Sequence, residues 1–160
     1  MKAIVCIDKH WGIGKDGDLL AKNPIDMDFF KTVTSGHCVV MGRKTLESFK
    51  NKKPLPNRTN IVLSRTNLNR ADIVQFYNIE DFLKSEYNSS DTFVIGGGSI
   101  YKELLDFCDE IYVTKMENEF DADTFFPNLD ENKSFELVED GDLLTFGDLQ
   151  FKFIKYKKIS

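Results

Sequence analysis

Several familiar signatures are missing from this sequence. Its three cysteines, Cys6, Cys38 and Cys108, are odd in number and widely spaced, with no CxxC pair and no Cys/His array. That pattern excludes a disulfide framework or a zinc knuckle and predicts buried free thiols in a reducing compartment, with no metal site. The glycine-lysine phosphate loop GxxxxGK[ST] is absent, and so is the GxGxxG dinucleotide fingerprint. The N-terminal apolar run Ala3–Ile7 is too short for a secretory leader and far too short to span a membrane, so a cytoplasmic protein is expected. There is no internal repeat, low-complexity tract or linker. At 160 residues the chain is expected to form one domain over 1–160, and to act as a monomer.

Basic charge is also scarce. The formal net charge of −5 argues against a nucleic-acid binder, which would show a basic face. Only four arginines, Arg43, Arg58, Arg65 and Arg70, stand among 21 basic residues. Arginine grips carboxylate and phosphate through two parallel hydrogen bonds. Four solvated surface arginines would look the same on position alone.

What is present alternates strands with helices. Ala3–Ile7, Cys38–Met41 and Phe93–Ile95 are continuous apolar runs of strand length, as expected for strands buried on both faces. Ile61–Leu63, Ile73–Phe76 and Glu110–Lys115 complete the strand series. Helices are predicted from Pro24 to about Thr34, from Gly42-Arg43 to about Phe49, over Ile79–Glu86, and from Ser99 as cap to about Phe107. Phe135–Glu139 and Leu149–Lys157 then read as antiparallel strands, with Phe151 and Phe153 opposite Lys152 and Lys155. The implied fold is α/β: a single-domain, mostly parallel twisted sheet of about eight strands, an antiparallel C-terminal edge and about four flanking helices.

Four segments carry chemistry. Asp26 shares a helical face with Phe29, Phe30 and Val33, so its carboxylate points among large apolar groups. Such desolvation raises a carboxyl pKa toward the range useful for proton transfer; an acid favoured by the helix dipole is the equal alternative. Val39–Met41 delivers Gly42, Arg43, Lys44 and Thr45 to a helix start, which is either a phosphate site or an ordinary strand-to-helix turn. Val94-Ile95-Gly96-Gly97-Gly98-Ser99-Ile100-Tyr101 puts three glycines between strand and helix, where a ligand can approach the backbone closely. Arg58 precedes one strand and Ser64-Arg65 follows it, which separates two anion sites by about 20 Å at about 3.3 Å per residue.

In this order and spacing, the start of the chain through Gly14, Asp26–Phe30, Val39–Thr45, Pro54–Arg65, Ile95–Tyr101, Ile111–Thr114 and Asp123–Pro127 resemble dihydrofolate reductases, and the length suits the bacterial-type, NADPH-dependent members. The resemblance implies reduction of 7,8-dihydrofolate to 5,6,7,8-tetrahydrofolate for one-carbon metabolism, by hydride transfer to C6 and protonation at N5. It implies NADPH as cofactor, and dihydrofolate and antifolates as ligands. Asp26 matches the carboxylate that binds the pterin, and Thr114 its hydroxyl partner. Ile4, Val5, Cys6, Met27, Phe30, Phe49 and Leu55 would wall the substrate pocket, and Arg58 would take the substrate's α-carboxylate. Gly42, Arg43, Lys44, Thr45, Ser64 and Arg65 would hold phosphates, while Ile95, Gly96, Gly97, Gly98, Ser99 and Tyr101 would line the nicotinamide and pyrophosphate. Ile13, Gly14 and the loop to Leu19 would close over the cofactor, anchored by Asp123. Water is the expected proton carrier to N5.

One stretch departs from the family pattern Leu-Pro-Trp-x-Leu-Pro, reading Leu19-Leu20-Ala21-Lys22-Asn23-Pro24. The indole that family members place near the nicotinamide and a pterin-site water is here Ala21. Trp11, the sole tryptophan, is expected at the surface or packing a loop. The basic stretch Lys50–Lys53 reads as solvated, with attraction for polyglutamate tails as the alternative for Lys52 or Lys53. Two other readings compete: a pyrimidine reductase of riboflavin synthesis on the same fold, and a non-catalytic NADPH-binding module.

Overall fold

The computed structural model describes residues 1–159. Apolar runs form a nine-stranded sheet: β1 (Lys2–Ile7), β3 (Cys38–Gly42), β4 (Thr59–Leu63), β5 (Val74–Phe76), β6 (Thr92–Gly96), β7 (Glu110–Met116), β9 (Phe135–Asp140), β10 (Leu144–Phe146) and β11 (Leu149–Lys158). Eight follow the order β10-β11-β7-β1-β6-β3-β4-β5, and β9 pairs with β11 beside them. Strands β1 and β3–β7 run parallel, while β9, β10 and β11 form the antiparallel edge. The predicted class and layout hold.

Four helices flank the sheet: α1 (Pro24–Thr34), α2 (Arg43–Ser48), α3 (Ile79–Leu83) and α4 (Gly98–Leu104). Asn23 caps α1, its side chain accepting from the N–H groups of Ile25 and Asp26, and Pro24 sits in the first turn, where no intrahelical partner is needed. α3 ends at Leu83, short of the expected Glu86. α4 begins one residue before the predicted cap: Gly97, not Ser99, holds the cap position, and Leu105–Phe107 continue as a separate 3₁₀ turn.

Two small features were not foreseen. Gly12–Gly14 (β2) and Thr124–Phe125 (β8) pair as an antiparallel ribbon apart from the main sheet. β10 adds a short strand along the first residues of β11. On β11 itself the faces differ from expectation: Phe153 and Lys155 lie two residues apart on one face, where Phe153 stacks on Phe29 and the Lys155 ammonium sits over Tyr112. Lys155 is therefore not opposite Phe153.

The sheet divides the core in two. One face buries Ala3, Val5, Ile7, Val40, Ile61, Val94, Leu104 and Ile111, with Trp11 among them. Trp11 is 5% exposed and packs on Phe126 and Tyr156, so it is a core residue rather than a surface one. The other face holds Ile4, Val39, Met41, Leu46, Val62 and Phe93 beneath a half-buried layer that includes Phe29, Phe30, Val33, Phe49 and Leu55. The three cysteines are free thiols. Lys50, Lys52 and Lys53 lie exposed on a turn. Among the described residues, no helix is long and apolar enough to cross a membrane.

Candidate functional site

Helix α1 lies over the sheet where β1, β7 and β11 adjoin. Cys6, Thr114 and Phe153 are cross-strand neighbours there. Helical spacing drops two side chains onto this row: Asp26 accepts a hydrogen bond from Thr114 Oγ1 at 2.5 Å, and Phe29, one turn later, stacks on Phe153 with ring centroids 4.2 Å apart. Burial pushes the Asp26 carboxyl above its usual range, partly offset by hydrogen bonds from Thr114 and Cys6. The Cys6 thiol is pushed up strongly, by burial first and then by the neighbouring carboxylate. The site thus holds one acid that retains its proton unusually well and one thiol that stays neutral.

Arg58 stands at the end of the same half-buried layer. Its Nε donates to the Pro56 carbonyl at 2.9 Å, one terminal nitrogen donates to Thr34 Oγ1 at 3.1 Å, and the guanidinium lies 5.9 Å from the Phe30 ring centre. These contacts fix the planar fork and leave donors for a carboxylate. Arg70, by contrast, is committed to Asp72 through two bonds of 2.9 and 2.8 Å.

A second cleft opens at the carboxyl ends of the parallel strands β3, β4 and β6, where α/β sheets place ligands. Gly42–Thr45, Leu63–Thr66 and Gly97–Ile100 line it. Among the described residues, neither Lys44 nor Arg65 pairs with an acidic side chain, and Arg43 makes only a long contact to Glu47 at 3.4 Å. Two glycines are required. Gly96 has φ +122° and carries its backbone against the Tyr101 ring, and a Cβ at Gly98 would stand 2.6 Å from Thr124 Cγ2. Ile13 reaches both regions, lining the Asp26 cavity and approaching Gly98.

The loop carrying Ile13 is tied down along its length. Asp8, 1% exposed, accepts backbone N–H groups of His10, Gly12 and Phe120. Asp123 accepts from the Asp16 N–H at 3.0 Å and donates its own N–H to Gly14 at 2.9 Å. The Asp16 N–H holds the Asp123 carboxyl below its ordinary range.

The structure gathers most of the predicted residues into these two regions. Cys6, Ile13, Leu19, Asp26 and Met27 border one cavity, although Leu19 and Met27 are largely exposed; Ile4, Phe30, Phe49, Leu55 and Ile95 form the adjoining apolar wall. Two side chains are placed elsewhere. Val5 alternates to the opposite face and joins the other core. Tyr101 is 6% exposed, and its hydroxyl donates to the Ile4 carbonyl, so it braces the glycine turn from below. Sequence reasoning missed Asp8, Met116, Thr66 and Ile100. Thr66 and Ile100 adjoin named residues and were within reach of the strand-end pattern; Met116, two residues beyond Thr114 on the same face, follows from strand periodicity.

A model of the dihydrofolate reductase family matches residues 1–158. The chain is 37% identical to the dihydrofolate reductase of Bacillus subtilis (strain 168), over 97% of this chain and 92% of that one. It is 40% identical to that of Staphylococcus haemolyticus, over 86% and 83%, and 37% identical to that of Schistosoma mansoni, over 98% and 95%. With a lone desolvated carboxylate on α1, a pinned arginine beyond it and a basic cleft at the strand ends, the chain belongs to the dihydrofolate reductase family of oxidoreductases.

Proposed function

We propose that this chain reduces 7,8-dihydrofolate to 5,6,7,8-tetrahydrofolate with NADPH, as one monomeric cytoplasmic domain over residues 1–160. The observation that carries this reading is the Thr114–Asp26 pair: a half-buried acid held by a hydroxyl among Cys6, Phe29 and Phe30 suits the amino and ring N–H groups of a pterin. Arg58, already oriented by Thr34 and Pro56, takes the substrate's α-carboxylate through two parallel bonds.

The cleft residues fit a phosphorylated dinucleotide. Arg43, Lys44 and Arg65 supply cationic donors, Thr45, Ser64, Thr66 and Ser99 supply hydroxyls, and at Gly98 a Cβ would crowd Thr124 at 2.6 Å, so the backbone there meets the loop closely. Ser64 and Arg65 suit an adenosine 2′-phosphate, which favours NADPH over NADH. Bound NADPH supplies the hydride. The chain's own contribution is to set substrate and cofactor side by side, exclude water beneath the Ile13 loop, and hold the pterin through a carboxyl that burial keeps above its usual range. Water carries the proton to N5, and antifolates that present a protonated amidine-like edge compete for Asp26.

Purified protein mixed with NADPH and dihydrofolate is expected to lose absorbance at the nicotinamide band, and Asp26→Asn to stop nearly all of that loss at neutral pH. A flat trace with the unaltered chain, despite measurable NADPH binding, would establish a binding module instead.

A further inference from the structure

Asn60 stands near the start of β4, paired with Val39 on β3, and alternation puts its side chain on the same face as Val62, the face that α1 covers. It is 5% exposed. A carboxamide buried among apolar side chains is costly unless its polar atoms find partners. Here every partner lies in the loop that precedes it. Oδ1 accepts from the Leu55 N–H at 2.9 Å, while Nδ2 donates to the Leu55 carbonyl at 2.9 Å and the Arg58 carbonyl at 3.1 Å. The amide thus grips Leu55 as a neighbouring strand would, and draws the backbone of Arg58 to the same point. The far side of the loop is tied to the end of α1. Gly36 N–H donates to the Asn57 carbonyl at 2.7 Å. Thr34 Oγ1, whose hydrogen is spent on the Phe30 carbonyl at 2.8 Å, turns a lone pair to the Arg58 guanidinium. Pro56 and Asn57, between these ties, are exposed, so hydrogen bonds rather than packing keep the tip in shape.

We propose that Asn60 is a positioning residue for Arg58: it sets the backbone from which the guanidinium projects, so that the fork stands ready for a carboxylate before a ligand arrives. This rests on reading Arg58 as the receptor for the substrate's α-carboxylate. Thr34 and the Pro56 carbonyl orient the guanidinium, but Pro56 belongs to the loop that Asn60 holds. Released from Asn60, the loop carries that acceptor away and the Arg58 Nε–H loses its partner. A ligand must then order loop and arginine as it binds, and affinity falls by that cost. The Thr114–Asp26 pair lies between β7 and α1 and shares none of these contacts. A fault at Asn60 is therefore felt by the carboxylate end of a ligand and not by its ring.

Asn60→Leu in the full chain removes these hydrogen bonds and keeps a side chain of similar size. In the ligand-free variant, NMR is expected to show the Arg58 Nε–H exchanging with water about tenfold faster or more, with the Val40 and Met41 amides unchanged. An unchanged Nε–H, or a quickening of the core amides along with it, overturns the proposal. Calorimetry with folate and with 2,4-diamino-6-methylpteridine, which lacks the glutamyl end, reads the consequence. Folate should bind the variant about tenfold more weakly, and the pteridine within about twofold of its former affinity. In an Arg58→Leu background the same change should cost folate about twofold or less. Equal weakening of both ligands, or an undiminished loss with Arg58 absent, refutes the role. A freed Nε–H with unaltered folate affinity would count against Arg58 as the carboxylate receptor, and so against the proposed substrate site, while upholding Asn60 as the residue that holds Arg58. Should Asn60→Leu fail to fold, the unaltered chain decides. Its Leu55 N–H and Arg58 Nε–H are expected to exchange far more slowly than the exposed Asn57 amide, and equal rates overturn the proposal.

Discussion

Thr114 Oγ1 donates to Asp26 Oδ1 across 88 residues of sequence, and that bond ties the first turn of α1 to the middle of the sheet. It acts on a carboxyl that burial and hydrogen bonding pull in opposite directions, with burial the stronger. The net result has consequences for stability, for turnover and for their pH dependence.

Because folded Asp26 keeps its proton to higher pH than the unfolded chain does, its ionisation works against folding. The cost is absent below the unfolded carboxylate value of about 3.9 and is complete once the pH has passed the raised folded value. Asp26→Asn should therefore raise the melting temperature by a few degrees at pH 7 and change it little at pH 3.5. Calorimetry at the two pH values checks this, and a variant less stable at pH 7 would contradict it.

Thr114→Val keeps the shape of the side chain and removes the donor. A hydrogen bond to a charged group contributes about 1.5 kcal/mol or more, so the ionisation of Asp26 should move up by about one unit. The acid limb of the pH profile for dihydrofolate turnover should move with it.

Arg58→Leu should raise the KM for dihydrofolate by about 30- to 100-fold, the equivalent of about 2–3 kcal/mol for a charge-assisted pair. The KM for NADPH should stay within about twofold, since the basic cleft proposed for the cofactor lies at the other end of β4. Equal effects on both constants would move Arg58 out of the substrate site.

Asp8→Ala leaves three backbone N–H groups without their carboxylate. An expected loss of about 3 kcal/mol lowers the melting temperature by roughly 6–12 °C. Because those groups belong to the two loops that meet beside Ile13, hydrogen exchange should quicken in both segments together, at 9–14 and at 117–123. Faster exchange in one loop alone would show that Asp8 does not couple them.

The parts of this fold readable in advance were those with a local period. A 3.6-residue repeat placed Asp26, Phe29, Phe30 and Val33 on one face, and they are there. Continuous apolar runs gave the parallel strands. The ribbon of β2 and β8 escaped because strands of three and two residues are too short to carry a period. Of the two readings of Trp11, loop packing holds through Phe126 and the surface does not, because its partners Phe126 and Tyr156 come from far along the chain while its neighbours Lys9, His10 and Gly12 suggest a surface turn. The start of α4 was misjudged because a serine is a good cap in isolation, whereas here a glycine turn fixes the entry and Ser99 follows it.

Alternation along β1 sorts adjacent residues by fate. Ile4 and Cys6 face the acid and its aromatic wall, while Ala3, Val5 and Ile7 face the closed core on the other side. The parity of a position in this strand therefore decides which half of the core it joins. Changes at odd positions are felt as lost protein, irrespective of which ligand is present. Of the even positions, Ile4 is as much a core residue as Val5, and Cys6, half-buried beside the Asp26 cavity, is where a change alters that cavity while the core stays filled.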